Sequence, residues 1–132
     1  MKISTKGRYA LRLMLDLAIN GEDRYVTLKA ISGRQEISEK YLEQIVSPLS
    51  HAGFLKSARG PHGGYQLSRE AQEYRVGDIL RTIEGSLTPV TCLEKSSKKC
   101  SRVENCPVYG FWQGLDNAIE TYVDSYTLQD LI

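Results

Sequence analysis

The stretch from Thr27 to Ser68 constrains the fold of this chain more tightly than any other. Thr27 is a residue type that caps helices, and it precedes a short run ending near Arg34 in which Leu28 and Ile31 face inward. A polar break, Gln35-Glu36-Ile37, follows. Ser38 then caps a second helix in which Tyr41, Leu42, Ile45, Val46 and Leu49 share one face, while Lys40, Glu43, Gln44 and Ser47 share the other. Pro48 limits this helix near its end, and Ala52-Gly53 closes it. Two short helices joined by a tight polar turn, the second turning hydrogen-bonding side chains outward, make a helix-turn-helix. Phe54 to Ala58 and Tyr65 to Ser68 read as strands around the turn Arg59-Gly60-Pro61-His62-Gly63-Gly64. A hairpin placed directly after a helix-turn-helix is the wing of a winged helix.

Those residue types suit DNA. Glutamine pairs with adenine, glutamate accepts from cytosine N4, and lysine reaches guanine or phosphate. Arg59, on a glycine-rich turn, suits a narrow and electronegative minor groove, and His62 suits phosphate contact or plain exposure better than metal ligation. A solvent-exposed helix face is the plainer alternative for the outward side chains.

The flanking segments fit around this unit. At 132 residues the chain is one domain with room for an appended element, and it is short for an enzyme. Its 41% hydrophobic and 25% charged residues describe an ordinary soluble protein, and the absence of a signal-like start or transmembrane run predicts a cytoplasmic location with no membrane partner. A net charge of +1 hides an asymmetry: Lys2, Lys6, Arg8 and Arg12 precede the first acidic residue, Asp16, whereas Val103 to the end holds five acids and no Lys or Arg. A basic start suits a polyanion, with a solvated charged face as the alternative.

From Ser4 to about Ile19, Leu11, Met14, Leu15 and Ala18 recur at helical spacing, and the basic first turn would draw phosphate to free N–H groups. Val76, Ile79, Leu80 and Ile83 mark another amphipathic helix, stopped by Gly85 and expected to pack on the first. After Pro107 comes a long helix. Phe111, Leu115, Ala118 and Tyr122 form one seam, with Trp112, Ile119, Val123 and Tyr126 beside it. That stripe is wide for a helix resting on one small domain and points to a second copy as partner, the alternative being one domain that buries both faces. Thr127 and Asp130 can cap a final short turn.

All three cysteines fall between the last two helices: seven residues separate Cys92 from Cys100, and five separate Cys100 from Cys106. In a cytosolic protein such clustering is more often a metal or redox site than a disulfide staple. Structural zinc sites favour closer pairs and four ligands, thiolates are the usual ligands of iron–sulfur clusters, and free or redox-switching thiols are the third option. Lys95, Lys98, Lys99 and Arg102 nearby would favour thiolate.

MKISTKGRYALRLMLDLA, ISEKYLEQIVSPL, RGPHGGYQL, VGDILRTIEG and the three cysteines together resemble the winged-helix regulator family of IscR, NsrR and CymR over nearly the whole chain. YLEQ followed by RGxxGGY is the most specific part of that likeness. The resemblance implies a mostly α fold with a small hairpin wing. Residues 1–85 would be a winged helix-turn-helix DNA-binding domain, 86–107 a cysteine-containing cluster-binding loop, and 108–132 a dimerisation helix with its C-terminal turn. It implies a homodimeric bacterial transcription factor on promoter DNA, not an enzyme.

The DNA contacts carried over are Lys2, Arg8, Ser38, Lys40, Tyr41, Glu43, Gln44 and Ser47, with Arg59, Gly60, Pro61 and His62 at the wing. Glu43 would discriminate against wrong sites, since a carboxylate repels DNA unless it accepts a cytosine hydrogen bond. Phe111, Trp112, Leu115, Ile119 and Tyr122 would form the dimer. In members with this cysteine trio, the thiolates hold a 2Fe–2S or 4Fe–4S cluster that controls DNA binding. The resemblance therefore implies Cys92, Cys100 and Cys106 as ligands, a 2Fe–2S cluster ahead of a 4Fe–4S one, and cluster-assembly proteins as partners.

CymR-type members lack the trio, so the cysteines favour the IscR type over the cysteine-metabolism branch. The chain departs from the pattern at the fourth ligand. IscR-type proteins use a histidine where this chain has Tyr109, and NsrR-type proteins use an acidic residue of the partner where it has Arg8. Tyr109, Glu104, a partner side chain, or an exogenous thiol or water stay open for that role. A nitric-oxide- or redox-sensing member of the family is a neighbouring reading. A small cysteine-based redox or metal-handling protein is the rival from another class, with little behind it: the chain has no CxxC and only two histidines, both in the DNA-reading half.

Overall fold

The computed structural model describes residues 2–95 and 100–132, so Met1, Ser96, Ser97, Lys98 and Lys99, the last two among the cations set near the thiols above, lie outside the described residues. Among the described residues, five α-helices and one antiparallel hairpin follow in the order α1 (Thr5–Asn20), α2 (Leu28–Gln35), α3 (Glu39–His51), β1 (Leu55–Ala58), β2 (Gly64–Leu67), α4 (Val76–Glu84) and α5 (Tyr109–Ser125). This is a winged helix followed by a long C-terminal helix. Three short helical turns, at Ala71–Glu73, Thr91–Leu93 and Gln129–Leu131, stand between or after these elements.

The first three helices start where a side-chain oxygen can satisfy an orphan amide. Ser4 accepts from the Gly7 N–H, Thr27 from Ala30 and Ser38 from Tyr41. The turn between α2 and α3 is closed by Glu36, whose left-handed backbone (φ 56°) returns its N–H to the Ser32 carbonyl at 2.9 Å. Pro48 does not stop α3; it lies inside the helix one turn before the end, where only the Gln44 carbonyl loses an intrahelical donor.

One core joins α1, α2, α3 and α4. Leu13, Met14, Leu17, Ile31, Leu42, Ile45, Leu49 and Ile79 are sealed in it, together with Tyr74 and Leu128. The wing is tied to that core from three sides. Leu55 pairs with Leu67 and Ala58 with Gly64 across the hairpin, and Val26 exchanges two 2.8 Å backbone hydrogen bonds with Tyr65, so the chain before α2 serves as a third short strand. Tyr74, buried between wing and α4, donates from its hydroxyl to the Phe54 carbonyl (2.7 Å) and accepts from the Ser68 and Arg69 amides. The Arg69 guanidinium stacks 4.8 Å from the Tyr74 ring.

A smaller apolar cluster, Val76, Leu80 and Leu87, receives Ile119 and Val123 from α5 and Ile3 and Leu11 from the α1 side. The end of α5 is stitched to the start of α4: Val76 donates to the Tyr126 carbonyl and Leu128 to Tyr74, both at 2.9 Å. Thr127 and Asp130 then cap the last turn reciprocally, as their spacing predicts.

Candidate nucleic-acid interface and cysteine loop

The inner face of α3 is buried through Leu42, Ile45, Val46 and Leu49, which fixes its outer face. Lys40, Glu43, Gln44 and Ser47 are all exposed, and among the described residues the side chains of Lys40, Glu43 and Gln44 have no hydrogen bond or ion pair within the chain. Ser38 spends its oxygen on the Tyr41 amide, 3.1 Å away, and so acts as cap first. Tyr41 is half-buried with its ring edge-on to Tyr9 at 5.5 Å. Tyr9 also carries the Arg12 guanidinium 5.2 Å above its ring, and Arg12 donates to the Gln35 side-chain oxygen at 3.2 Å. Tyr9 and Arg12 were therefore missed as positioning residues for the helix-turn-helix. The signal for them was an aromatic and a cation one turn apart on α1.

At the wing tip Arg59, Gly60, Pro61 and His62 are exposed, and Gly60 (φ 102°) accepts from the Gly63 amide at 3.0 Å. Gly63 and Gly64 are required by close approach. A Cβ on the first would overlap the Ala58 carbonyl, and one on the second, at φ 142°, would overlap the Val26 carbonyl.

The N-terminus of α1 departs from expectation. Lys2 and Arg8 are exposed, but Arg8 reaches back to Thr5 at 3.1 Å, and the helix end is already met by an anion of the chain itself. Glu84 accepts from the Ser4 amide at 3.0 Å and from the Ser4 hydroxyl. The Ser4 and Gly7 amides are thus taken, and an anion of the chain stands at this helix end beside the cations that would draw a polyanion.

On α5 the two faces separate. Phe111 is 66% and Tyr122 64% exposed, whereas Trp112 and Leu115 are half-buried and Ile119 packs within its own chain against Val76, Leu80 and Leu87. Two of the acidic residues of this helix, Glu120 and Asp124, share a local partner. Arg81 forks onto Asp124 with two 2.9 Å contacts, and it also meets Glu120. Hydrogen bonds from Arg81, with its charge, hold the Asp124 carboxyl below the ordinary carboxylate range.

Cys92 and Cys106 are half-buried and Cys100 is exposed, all three as free thiols. Their type suits iron or zinc, but among the described residues no three His, Cys, Asp or Glu side chains are gathered so as to hold a metal ion. Of the open candidates for a fourth ligand, Tyr109 is half-buried in the first turn of α5 and Glu104 is exposed. Among the described residues no helix is long and apolar enough to cross a membrane.

Known proteins share this arrangement across the whole chain. The HTH-type transcriptional regulator CymR of Bacillus subtilis is 42% identical over 131 residues, which cover 99% of this chain and 89% of that protein. The solved structure of B. subtilis CymR, described as that organism's global cysteine regulator, superposes with a TM-score of 0.81 at 40% identity, covering 99% of this chain and 95% of the other. T. potens IscR superposes with a TM-score of 0.76, also at 40% identity, covering 99% and 85%. Likeness to the two solved structures is equal in identity and does not separate the cysteine regulator from IscR. These relatives regulate transcription and are not enzymes. A family model described as Rrf2, iron-dependent transcriptional regulator, matches residues 3–132, and the chain belongs to that family of winged-helix regulators.

Proposed function

We propose that the chain is a homodimeric regulator that reads promoter DNA with α3 and the wing, and that the loop 86–107 receives its signal through Cys92, Cys100 and Cys106, with iron–sulfur ligation as the chemistry. The observation that carries the DNA reading is the outer face of α3, where Lys40, Glu43 and Gln44 stand exposed and unpaired on a helix whose other face is sealed in the core. The cluster reading is supported by three soft donors on one loop and by the family's description as iron-dependent. Because the thiols are not gathered, ligation would order the loop as it binds, which ties the presence of the group to the shape of the loop.

Binding to a duplex selected from a random pool tests the first part. Affinity should fall steeply with salt. Gln44→Ala should relax preference at one base position by about 1–3 kcal/mol, the worth of one bidentate base contact. Arg59→Ala should weaken sites with a narrow minor groove more than others. Equal affinity for every sequence would remove the DNA-reading role. Iron and acid-labile sulfide on protein purified without oxygen test the second part. A second reading, in which the thiols respond as thiols, is favoured by the exposure of Cys100, and it would be selected by protein that carries neither iron nor sulfide.

A further inference from the structure

The last turn of α4 holds two other elements at once. Arg81 grips α5 through the fork on Asp124 and the contact to Glu120, and Gly77 makes room for this grip, since a Cβ there would overlap the Asp124 carboxylate and lie 2.9 Å from Val123. One turn later Glu84 holds the start of α1 by accepting from the Ser4 amide and hydroxyl, and Gly7 makes room for that contact, since a Cβ there would overlap the Glu84 carboxylate. The next residue, Gly85, turns the chain at φ 81° directly into the cysteine loop. Leu87, two residues on, is buried with Val76 and Leu80, so the start of the loop is packed on the same helix.

We infer that Glu84 is the positioning residue through which the cysteine loop acts on DNA binding: displacement of the loop at Gly85 shifts the Glu84 carboxylate on Ser4, and with it the basic start of α1. The inference rests on the DNA-reading proposal above and adds its route of regulation. The physical basis is local. A carboxylate that accepts two hydrogen bonds at a helix N-terminus has strong directional preference, and it sits one residue from the backbone turn that the loop controls. Arg81, held on α5 one turn earlier, keeps α4 itself from following that displacement, so the movement is passed to α1.

A double-mutant cycle on the full chain tests this. Affinity for the selected duplex is measured for wild type, Cys100→Ser, Gly7→Ala, Glu84→Ala and each of the last two combined with Cys100→Ser. In the wild-type background Cys100→Ser should change affinity by about five- to 150-fold, the usual span of coupled sites. In the Gly7→Ala and Glu84→Ala backgrounds that ratio should fall to within about twofold, the scatter of independent sites. Glu84→Gln retains an acceptor oxygen for Ser4 and should restore the ratio. A merely structural role would shift both loop states equally and leave the ratio intact, and that result overturns the inference. Gly7→Ala attacks the contact from α1 and also raises helix propensity, so a folding failure of Glu84→Ala leaves a working variant. Absence of duplex binding by wild type, or an unchanged affinity on Cys100→Ser, would instead remove the DNA-reading proposal or the sensory role of the loop, and the route would fall with it.

Discussion

Asp16 is the one charged side chain withdrawn from solvent among the described residues, at 2% exposure, and its partners explain how it is tolerated. Burial alone would push its carboxyl up, but hydrogen bonds from Arg34 (3.0 and 2.8 Å) and Gln35 (2.9 Å), the Arg34 charge and Asn20 outweigh burial and hold it below the ordinary value. Asp16→Ala should cost about 1–3 kcal/mol in urea unfolding, because it removes the acceptor that Arg34, Gln35 and Asn20 share between α1 and α2, while Arg34 itself stays open to solvent. A carboxyl whose folded value lies below its unfolded one, about 3.9, contributes fully above that pH and loses the contribution as pH falls through the folded value. Asp16→Asn should therefore flatten the acid limb of the stability curve, and an unchanged limb would show that the pair does not act this way. Glu36 is the opposite case, a side chain that fits poorly. Its left-handed backbone is one that glycine adopts freely, so Glu36→Gly should gain about 0.5–1 kcal/mol in the same assay, the difference between the strain relieved and the freedom added to the unfolded chain.

At the scale of elements, the wing depends on a close approach that tolerates no side chain. Gly64→Ala places a Cβ against the Val26 carbonyl at a φ of 142°, so it should cost about 1–3 kcal/mol and loosen the wing before the helices unfold. Hydrogen exchange at Tyr65, whose amide is held by Val26, reports that loosening, and exchange as slow as in wild type would mean that the third strand is not needed. Features of this sort divide what the sequence made legible from what it did not. The caps at Thr27 and Ser38, the inner face of α3 and the hairpin turn are set by neighbours within a few residues, so periodicity and turn chemistry reveal them. The bridge from Val26 to Tyr65, the buried Tyr74 and the fork from Arg81 to Asp124 join residues far apart in the chain, and no local pattern marks them. Ile119 shows the same limit within one helix: its spacing puts it beside the outward seam, but only the packing of α5 on Leu80 and Leu87 assigns it inward. The cysteines were legible as a donor set, while their ungathered placement was not, because spacing along a loop does not fix distance across it.

The whole molecule, taken as one chain, leaves apolar surface on α5 that its own body does not cover. Phe111 and Tyr122 on α5, and Val108 just before it, are each more than half exposed, and an added Cβ at Gly110 or Gly114 would meet nothing within 4 Å. A patch of this kind on a soluble protein marks an interaction surface. If the occupant is a second copy related by a two-fold axis, every substitution enters the interface twice. Phe111→Asp then withdraws two aromatic rings, each worth about 1.5–3 kcal/mol when buried, and adds two carboxylates to an apolar contact. Since the ring is outward in the single chain, its removal should leave the helical content unchanged. Sedimentation equilibrium at micromolar concentration should show a dimer for wild type and a monomer for Phe111→Asp. The urea midpoint should rise with protein concentration in the first and stay constant in the second. DNA binding should change in kind as well as strength: a monomer reads one half-site, so its salt slope should fall because fewer phosphates are neutralised. A variant that stays dimeric would move the interface off this face of α5, and the pairing of the two recognition helices would then require a different axis.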